Sequence, residues 1–546
     1  NPADTLHFSK EISLKIYDRM EIAGGKSRYQ IVRQPVFKTP NPLASDRRGD
    51  IMLLINGMPV IHIELKRSGV DVSQAYNQIE KYSKEGVFSG IFSLIQIFVA
   101  MNPEETIYFA NPGPDGVFDK DFYFHWADFD NIPVNDWQAV AEKLLSIPMA
   151  HQMIGFYTVA DSTDGVLKVM RSYQYFAATR ISDRVPKRKD LWDGKNQRGG
   201  YIWHTTGSGK TMTSFKSAQL IADSQDADKV VFLMDRIELG TQSLLAYRGF
   251  AGDGFTVQAT ENTGVLVSKL KSSDPNNTLI VTSIQKMSNI KDEPEGMNAR
   301  DLTEMRKKRI VFIVDECHRD TFGDMMSNIK ATFPAAIFFG FTGTPIHKEN
   351  QKKMNTTASV FGDELHRYTI ADGIRDKNVL GFDPYMVLTW KDKDIRQQIA
   401  LAKARAKSEI EAMSTPAQRN IYLKYMNSAE VKMAGFTGPD GKYVKGIEDY
   451  LRDFTGTAQY ECPDHRETVI QDIKDNWFRL SRAGKFHAIF ATSSIQEAIL
   501  YYRLAKKMMP KLKITAQFDS SIDNSGAASA KEKEDGLTEI LADYNK

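Results

Sequence analysis

"YIWHTTGSGKTMTSFKSAQLI", residues 201–221, runs from an apolar stretch through a glycine-rich turn into a helix-forming segment. In that setting Gly207 and Gly209 let the backbone bend so that its N–H groups face one anion at the start of the helix. Lys210 can reach the outer phosphates of a nucleotide, and Thr211 can hold Mg2+. Thr206, Gly207, Ser208, Gly209, Lys210 and Thr211 are therefore candidate ATP-binding residues. A general phosphate loop carries another Gly five residues before Gly209, where this chain has His204. The competing reading is a plain glycine-rich turn in a sheet protein. The strand before the loop and the helix after it favour the nucleotide.

Outward from this loop, continuous apolar runs recur in "YIWHT", "KVVFLMD", "TLIVTSI", "RIVFIVD" and "AIFFGFTG", separated by helix-like segments. That is the pattern of a parallel sheet covered on both faces. One run ends in Asp315 and Glu316. An acid there can support Mg2+, and the next can activate water. A strand-end acid pair is weak by itself and gains meaning from the phosphate loop upstream.

Residues 1–160 read differently, as mixed α+β, with strand-like "QIVRQPVF", "DIMLLI", "VIHIELK" and "IQIFVAM" around a helical "DVSQAYNQIEKYS". "DSTDG", 161–165, reads as a turn, and "PKRKDLWDGKNQRGG", 186–200, as a loop. Between them lies an amphipathic segment, "VLKVMRSYQYFAATRISDRV". Residues 391–475 read as a polar helical connector or insertion with a Gly/Pro turn at "FTGPDGKY". Strand texture returns at "KFHAIFATSS" and "KITAQFD", and 520–536 reads as a mobile loop. No repeat of fixed period is visible.

A chain of 546 residues is too long for one core, so three or four domains of roughly 100–200 residues are expected. The net charge of +2 neither requires nor excludes nucleic acid; a DNA path would have to be a local patch. Two cysteines, Cys317 and Cys462, far apart, point to a reducing compartment without a disulfide framework. Cys462 and His465 lack a second ligand pair at zinc spacing. No apolar run is long enough to span a membrane, and the first residues do not form a signal peptide. The missing initiator Met suggests that upstream residues are absent or processed.

"TGSGKT", "FLMDRIELGTQ", "VTSIQKM", "DECH" and "GFTGTP" resemble, in order and spacing, the motifs of superfamily 2 helicases and translocases. The resemblance implies RecA-like, doubly wound parallel-sheet motor domains. It makes Asp315 a Mg2+ residue, Glu316 the general base and His318 a coupling residue. Asp235, Arg236 and Gln242 of one motif, and Thr282 and Gln285 of another, would grip a strand's phosphates. Thr342 and Thr344 would link the ATP and DNA sites. "RSYQYFAATRI" resembles the adenine-reading helix, with Gln174 as reader and Arg171 as support; an amphipathic packing helix is the alternative. The family's second motor domain carries an arginine finger in a "QxxGRxxR" pattern that this chain lacks. Weak or absent ATP turnover by this polypeptide alone is the expectation.

The hairpin "GDIMLLINGMPVIHIELKRSG", 49–69, poses a separate problem. Asp50 opens one arm, and Glu64 and Lys66 lie on the other, around an Asn-Gly turn. Two acids that fix Mg2+ and a lysine that orients water or stabilises a pentavalent phosphorus are what phosphodiester cleavage needs. With a two-residue loop alone, Asp50 would pair with Ile63 and face away from Glu64. A shared site therefore requires an odd loop or a bulge. The bland alternative is an exposed edge hairpin with a polar face. The arrangement resembles the PD-(D/E)xK nuclease core. Gln78 and Tyr82, one helical turn apart, resemble the QxxxY element that supports such sites. His62 shares the face as a neighbour, not a ligand.

"INGMPVIHIELK", "QAYNQIEKYS", "YIWHTTGSGKT", "IVDECHRDTFG", "FGFTGTPI" and "TASVFGDELHRYTIADGIRDKNVLGF" together resemble the restriction (R) subunit of type I restriction-modification enzymes, over almost the whole chain. The resemblance implies an α/β protein with four parts. These are an α+β restriction-endonuclease-like domain at 1–160, a first RecA-like motor domain at 161–365, a connector with helical insertion at 366–475, and an incomplete second motor domain from 476 to 546. It implies ATP and Mg2+ as cofactors and cleavage of double-stranded DNA after ATP-driven translocation. It also implies methyltransferase (M) and specificity (S) partner subunits and a prokaryotic cytoplasmic location. The rival functions are a DNA translocase or remodeller whose N-terminal domain does not cut, and a non-catalytic scaffold.

Overall fold

The computed structural model describes residues 18, 21–22, 24–39, 45–113, 116–186, 192, 199–234, 237–251, 257–260, 262–290, 299–315, 322–347, 356–437, 442–456, 459–518 and 530–544. The chain forms two compact units, Asn1–Phe382 and Asp383–Lys546.

The first unit begins with β1 (Tyr29–Arg33), β2 (Val36–Phe37), β3 (Arg47–Arg48), β4 (Ile51–Ile55), β5 (Met58–Leu65), α1 (Ser73–Lys84), β6 (Ile97–Met101) and β7 (Thr106–Ala110). Five strands make a mixed sheet in the order β1-β4-β5-β6-β7. Only β5 and β6 run parallel, because α1 crosses between them. Side chains alternate across this sheet. Met52, Phe98 and Phe109 join Ala75, Ile79 and Tyr82 of α1 on one face. Ile55, Ile61, Ile63 and Val99 join the other, which is covered by α2 (Trp137–Lys143) and α3 (Met149–Gly155).

The β4–β5 hairpin contains the extra residue that would bring Asp50 and Glu64 to one face. Asn56 and Gly57, at φ 52° and 83°, form a two-residue turn, and Ile55 pairs with Met58 and Leu54 with Pro59. The register then shifts, so that Leu53 pairs with Ile61, Met52 with His62 and Ile51 with Ile63. Val60 is the bulged residue. One step beyond Ile51, Asp50 stands opposite Glu64, not Ile63. Slipping back by one residue would exchange faces along β5 and drive His62 and Glu64 into the core under α2 and α3, which holds the bulge in place.

A hairpin of β8 (Thr158–Asp161) and β9 (Val166–Val169) leads into α4 (Ser172–Arg184). The segment read as amphipathic is thus a strand followed by a helix. Tyr175 and Ala178 of α4 belong to the same core as the first sheet. The second sheet follows, with β10 (Gly200–His204), α5 (Lys210–Ser224), β11 (Lys229–Met234), α6 (Ile237–Ala251), β12 (Val257–Ala259), α7 (Thr263–Lys271), β13 (Leu279–Ser283) and α8 (Ile284–Ser288). It continues with α9 (Ala299–Arg306), β14 (Ile310–Val314), α10 (Phe322–Thr332), β15 (Ile337–Thr342), α11 (Thr357–Phe361), β16 (Glu364–Tyr368) and α12 (Ile370–Arg375). All seven strands are parallel, in the order β12-β13-β11-β14-β15-β10-β16. The five strands expected from apolar runs are present, with a core on each face.

Two domain limits drawn from sequence cut through strands. Residue 161 ends β8, and the limit at 365/366 falls inside β16, which hydrogen-bonds to β10 as a sheet edge. The loop read at 186–200 lies largely outside the described residues.

The second unit contains α13 (Asp392–Ala404), α14 (Glu409–Ser414), α15 (Pro416–Met426), α16 (Ile447–Thr455), α17 (Pro463–Leu480), α18 (Ile495–Met508) and α19 (Ala530–Tyr544). A small ladder of β17 (Phe436–Thr437) and β18 (Tyr443–Val444) flanks the expected turn. The strand expected at "KFHAIFATSS" is not formed, nor is one across the described part of "KITAQFD", residues 513–518, and Ile489 is 99% exposed. No neighbouring strand among the described residues offers them a hydrogen-bond ladder. The part of the expected mobile loop from Ala530 onward is helical, as the start of α19. Among the described residues no helix is long and apolar enough to cross a membrane.

Candidate active sites

On the α1 side of the first sheet, Asp50, Glu64, Lys66, Gln78 and Tyr82 form one connected cluster. Glu64 is fully buried, whereas Asp50 and Lys66 are partly exposed. Asp50 Oδ2 accepts from the Leu65 N–H at 2.7 Å, which draws its carboxylate across the hairpin. Gln78 is the hub. Its Nε2 donates to Glu64 Oε1 and, at 2.8 Å, to the Tyr82 hydroxyl. Its Oε1 accepts from Lys66 Nζ at 2.6 Å. Tyr82 in turn donates to the Arg48 carbonyl at 3.2 Å, fixing the segment that leads into Asp50. Burial pushes the Tyr82 hydroxyl up from its ordinary value, so it remains a donor at neutral pH.

His62 lies deeper. Its Nε2 is 3.3 Å from Glu64 Oε2, at ion-pair distance but without hydrogen-bond geometry. Glu64 Oε2 is buried with no hydrogen-bond partner. A Cβ on Gly49 would sit 2.5 Å from His62 Cε1 and 2.9 Å from Phe37 Cε2, so the ring occupies the space a side chain there would need. Among the described residues no three or more His, Cys, Asp or Glu side chains gather as a metal group.

The glycine-rich turn sits at the carboxyl end of the second sheet, where parallel α/β sheets hold ligands. Gly207 and Gly209 have φ 81° and 75°, and Gly209 caps α5 in the left-handed conformation. Lys210 and Thr211 open that helix. Strand order places β15 between β10 and β14, so the turn, Thr342 and Asp315 share one end of three adjacent strands. The Trp203 indole donates to the Gly343 carbonyl at 3.2 Å, and the Thr344 N–H donates to Thr342 Oγ1 at 3.0 Å.

Gln174 is placed as part of the loop's support. It is buried; its Nε2 donates to the Ser208 carbonyl at 3.1 Å and its Oε1 accepts from the Arg171 N–H at 3.0 Å. A Cβ on Gly209 would come within 2.6 Å of the Gln174 amide nitrogen. The Arg171 guanidinium lies 4.3 Å over the Phe124 ring.

Comparison with protein families matches residues 9–117 to the type I restriction enzyme R protein N terminus, 173–419 to the SWI2/SNF2 ATPase, and 484–546 to type I restriction enzyme subunit R domain 3. The endonuclease subunit of type I restriction enzyme SauMSSORF170P from Staphylococcus aureus (strain MSSA476) is 35% identical over 507 residues, 91% of this chain and 47% of that protein. The SsaAORF53P subunit from Staphylococcus saprophyticus is 33% identical over 94% of this chain and 49% of its own length. The C-terminal part of a putative type I restriction endonuclease, MpnIIP, from Mycoplasma pneumoniae is 36% identical over 212 residues, 38% of this chain and 99% of that protein. The chain belongs to the endonuclease subunits of type I restriction enzymes. It spans about half the length of the longer relatives.

In this R polypeptide the remaining motif residues fall into two groups. Thr282 is buried at the end of β13, where Thr260 Oγ1 donates to its Oγ1 at 2.8 Å, and Gln285 is exposed on α8. Asp235, Arg236, Glu316 and His318 lie outside the described residues, as does the side chain of Gln242 on α6. Sequence reasoning missed Tyr173, whose hydroxyl donates to the Ser208 carbonyl at 2.8 Å, and Tyr368, which stacks on it at 3.7 Å. An aromatic beside a helix start carries no signal of its own. The only hint was His204 in the place of a glycine.

Proposed function

We propose that this R polypeptide supplies a Mg2+-dependent nuclease site and an ATP-binding motor site to a type I restriction enzyme that cleaves double-stranded DNA after ATP-driven translocation, in assembly with M and S subunits. The reading also takes the first sheet as a restriction-endonuclease-like core and the second as a RecA-like motor. The observation that carries the nuclease half is the bulge at Val60, which turns Asp50 and Glu64 to one face with Lys66 beside them.

The residues fit a divalent cation. Glu64 offers a buried carboxylate oxygen that accepts no hydrogen bond, Asp50 offers a second carboxylate, and Mg2+ binds through one or two carboxylates plus water and phosphate oxygens. Such an ion would lower the pKa of water for attack and neutralise charge on the phosphate. The chain's own contribution is orientation. Gln78 holds the Glu64 carboxylate and the Lys66 amine in one frame, and the Leu65 N–H fixes Asp50. Lys66 then stands where it can orient water or meet the phosphorane charge. In the motor half, the turn's backbone N–H groups and Lys210 would hold the phosphates. Asp315 would support their Mg2+, and Glu316 would act as general base.

The test is cleavage of circular DNA by the complex assembled with M and S subunits, in Mg2+ and ATP. Asp50→Ala, Glu64→Ala and Lys66→Ala should each abolish cutting while ATP-dependent displacement of a triplex strand continues. Lys210→Ala should abolish both. Cutting that persists in all three nuclease variants leaves a translocase with a non-cleaving N-terminal domain.

A further inference from the structure

A chain of hydrogen bonds that neither proposed reaction uses ties the nucleotide turn to the N-terminal domain. His204, the last residue of β10 before the turn, is fully buried. Its Nε2 lies 3.1 Å from Nδ1 of His366 on β16. His366 Nε2 lies 3.1 Å from the carbonyl of Phe129. Phe129 belongs to the N-terminal domain, on a loop pinched by the bridge between Ala127 and Pro133. The loop is held twice more. Asn131 Nδ2 donates to the Arg367 carbonyl at 2.8 Å, and the Arg180 guanidinium of α4 lies 4.6 Å over the Phe129 ring.

Chemistry fixes the direction of this chain. Burial drives both imidazoles below their ordinary range, His366 to about 4, so each is neutral at pH 7 and carries one N–H. A carbonyl only accepts, so the His366 proton is on Nε2 and its Nδ1 is the acceptor. His204 must then donate from Nε2. The chain runs one way, from the turn through two rings to the N-terminal domain. Next to it, the Tyr368 carbonyl accepts from the Thr205 N–H at 2.9 Å, while the Tyr368 ring stacks on Tyr173, which grips Ser208. A shift of β16 therefore moves the turn at two places.

We propose that His366 is a positioning residue that transmits the seating of the 127–133 loop of the N-terminal domain to the nucleotide turn through His204, so that nucleotide affinity depends on that domain. The proposal rests on the reading of the turn as an ATP site. Its test is the affinity of the 546-residue chain for a fluorescent ATP analogue with Mg2+, with Lys210→Ala as the control for the turn itself. His366→Phe keeps the ring and removes both hydrogen bonds. Asn131→Gly keeps the left-handed backbone, φ 62°, and removes the amide. Each should weaken the nucleotide about three- to tenfold, the worth of a hydrogen bond or two. The double variant should be no worse than the weaker single one, because both break one link. His366→Gln, which can still accept and donate, should restore most of the affinity. If His366→Phe does not fold, Asn131→Gly and His366→Gln carry the test. Unchanged affinity in folded Asn131→Gly, or additive losses in the double variant, overturns the relay. Failure of the wild-type chain to bind nucleotide overturns the ATP reading itself, and the relay with it.

Discussion

Glu64 is buried from solvent; Gln78 donates to its Oε1, while Oε2 accepts no hydrogen bond and has only the His62 Nε2 at 3.3 Å. Such a group is destabilising unless something meets its charge. Glu64→Gln keeps an acceptor for Gln78 and removes the charge. The metal-free variant should melt above wild type in a thermal scan, while cutting in the assembled complex is lost; a melting point well below wild type would contradict this. Gly49 shows the same pocket from the other side. Gly49→Ala drives a methyl into His62 and Phe37 and should cost about 1–3 kcal/mol in denaturant unfolding, as overpacking does. The clustering of the acids, the lysine and the Gln/Tyr pair was legible in sequence because they lie within one short stretch. Gln174 was expected from sequence as the adenine reader; in the fold its amide is engaged by the Ser208 carbonyl and the Arg171 N–H, a tertiary detail no spacing reveals.

At the scale of elements, arithmetic on the hairpin required one odd residue, and the ladder puts it at Val60. Which residue bulges was not legible, because it depends on the packing of Met58, Val60 and Ile61 in one core. Deleting Val60 would leave equal arms from the turn to the acids and still pair Asp50 with Glu64. That deletion should retain metal-dependent cutting at a stability loss of roughly 1.5–3 kcal/mol, the worth of a buried Val side chain. Loss of cutting in a folded deletion variant, by circular dichroism, would show that the bulge itself shapes the site. In the second sheet the central strands announced themselves as unbroken apolar runs. β12 and β16 did not, because edge strands need no such run; "ELHRY" is mostly polar. The apolar runs in the second unit misled for the opposite reason. Apolar texture marks a segment able to join a sheet, but the strand forms only where a partner lies alongside.

At the scale of the molecule, the first sheet and the sheet that carries the glycine-rich turn share one compact unit, joined through α4 and the His204–His366–Phe129 chain. Both histidines have folded-state values below the unfolded value of about 6.5. The unfolded chain therefore binds more protons, and stability is full above about pH 6.5 and falls as pH drops toward 4. Thermal melts across that window should show the loss, with a shallower slope in His366→Gln; an equal slope would mean that other groups carry it. Everything assigned to cleavage rests on two carboxylates, one from each arm of the hairpin, meeting at one ion. The most direct test is a crystal of the chain grown with Mn2+, read by anomalous scattering. The account predicts a single peak between Asp50 and Glu64 that vanishes in Glu64→Gln crystals. No peak there, or one that survives the substitution, would contradict it.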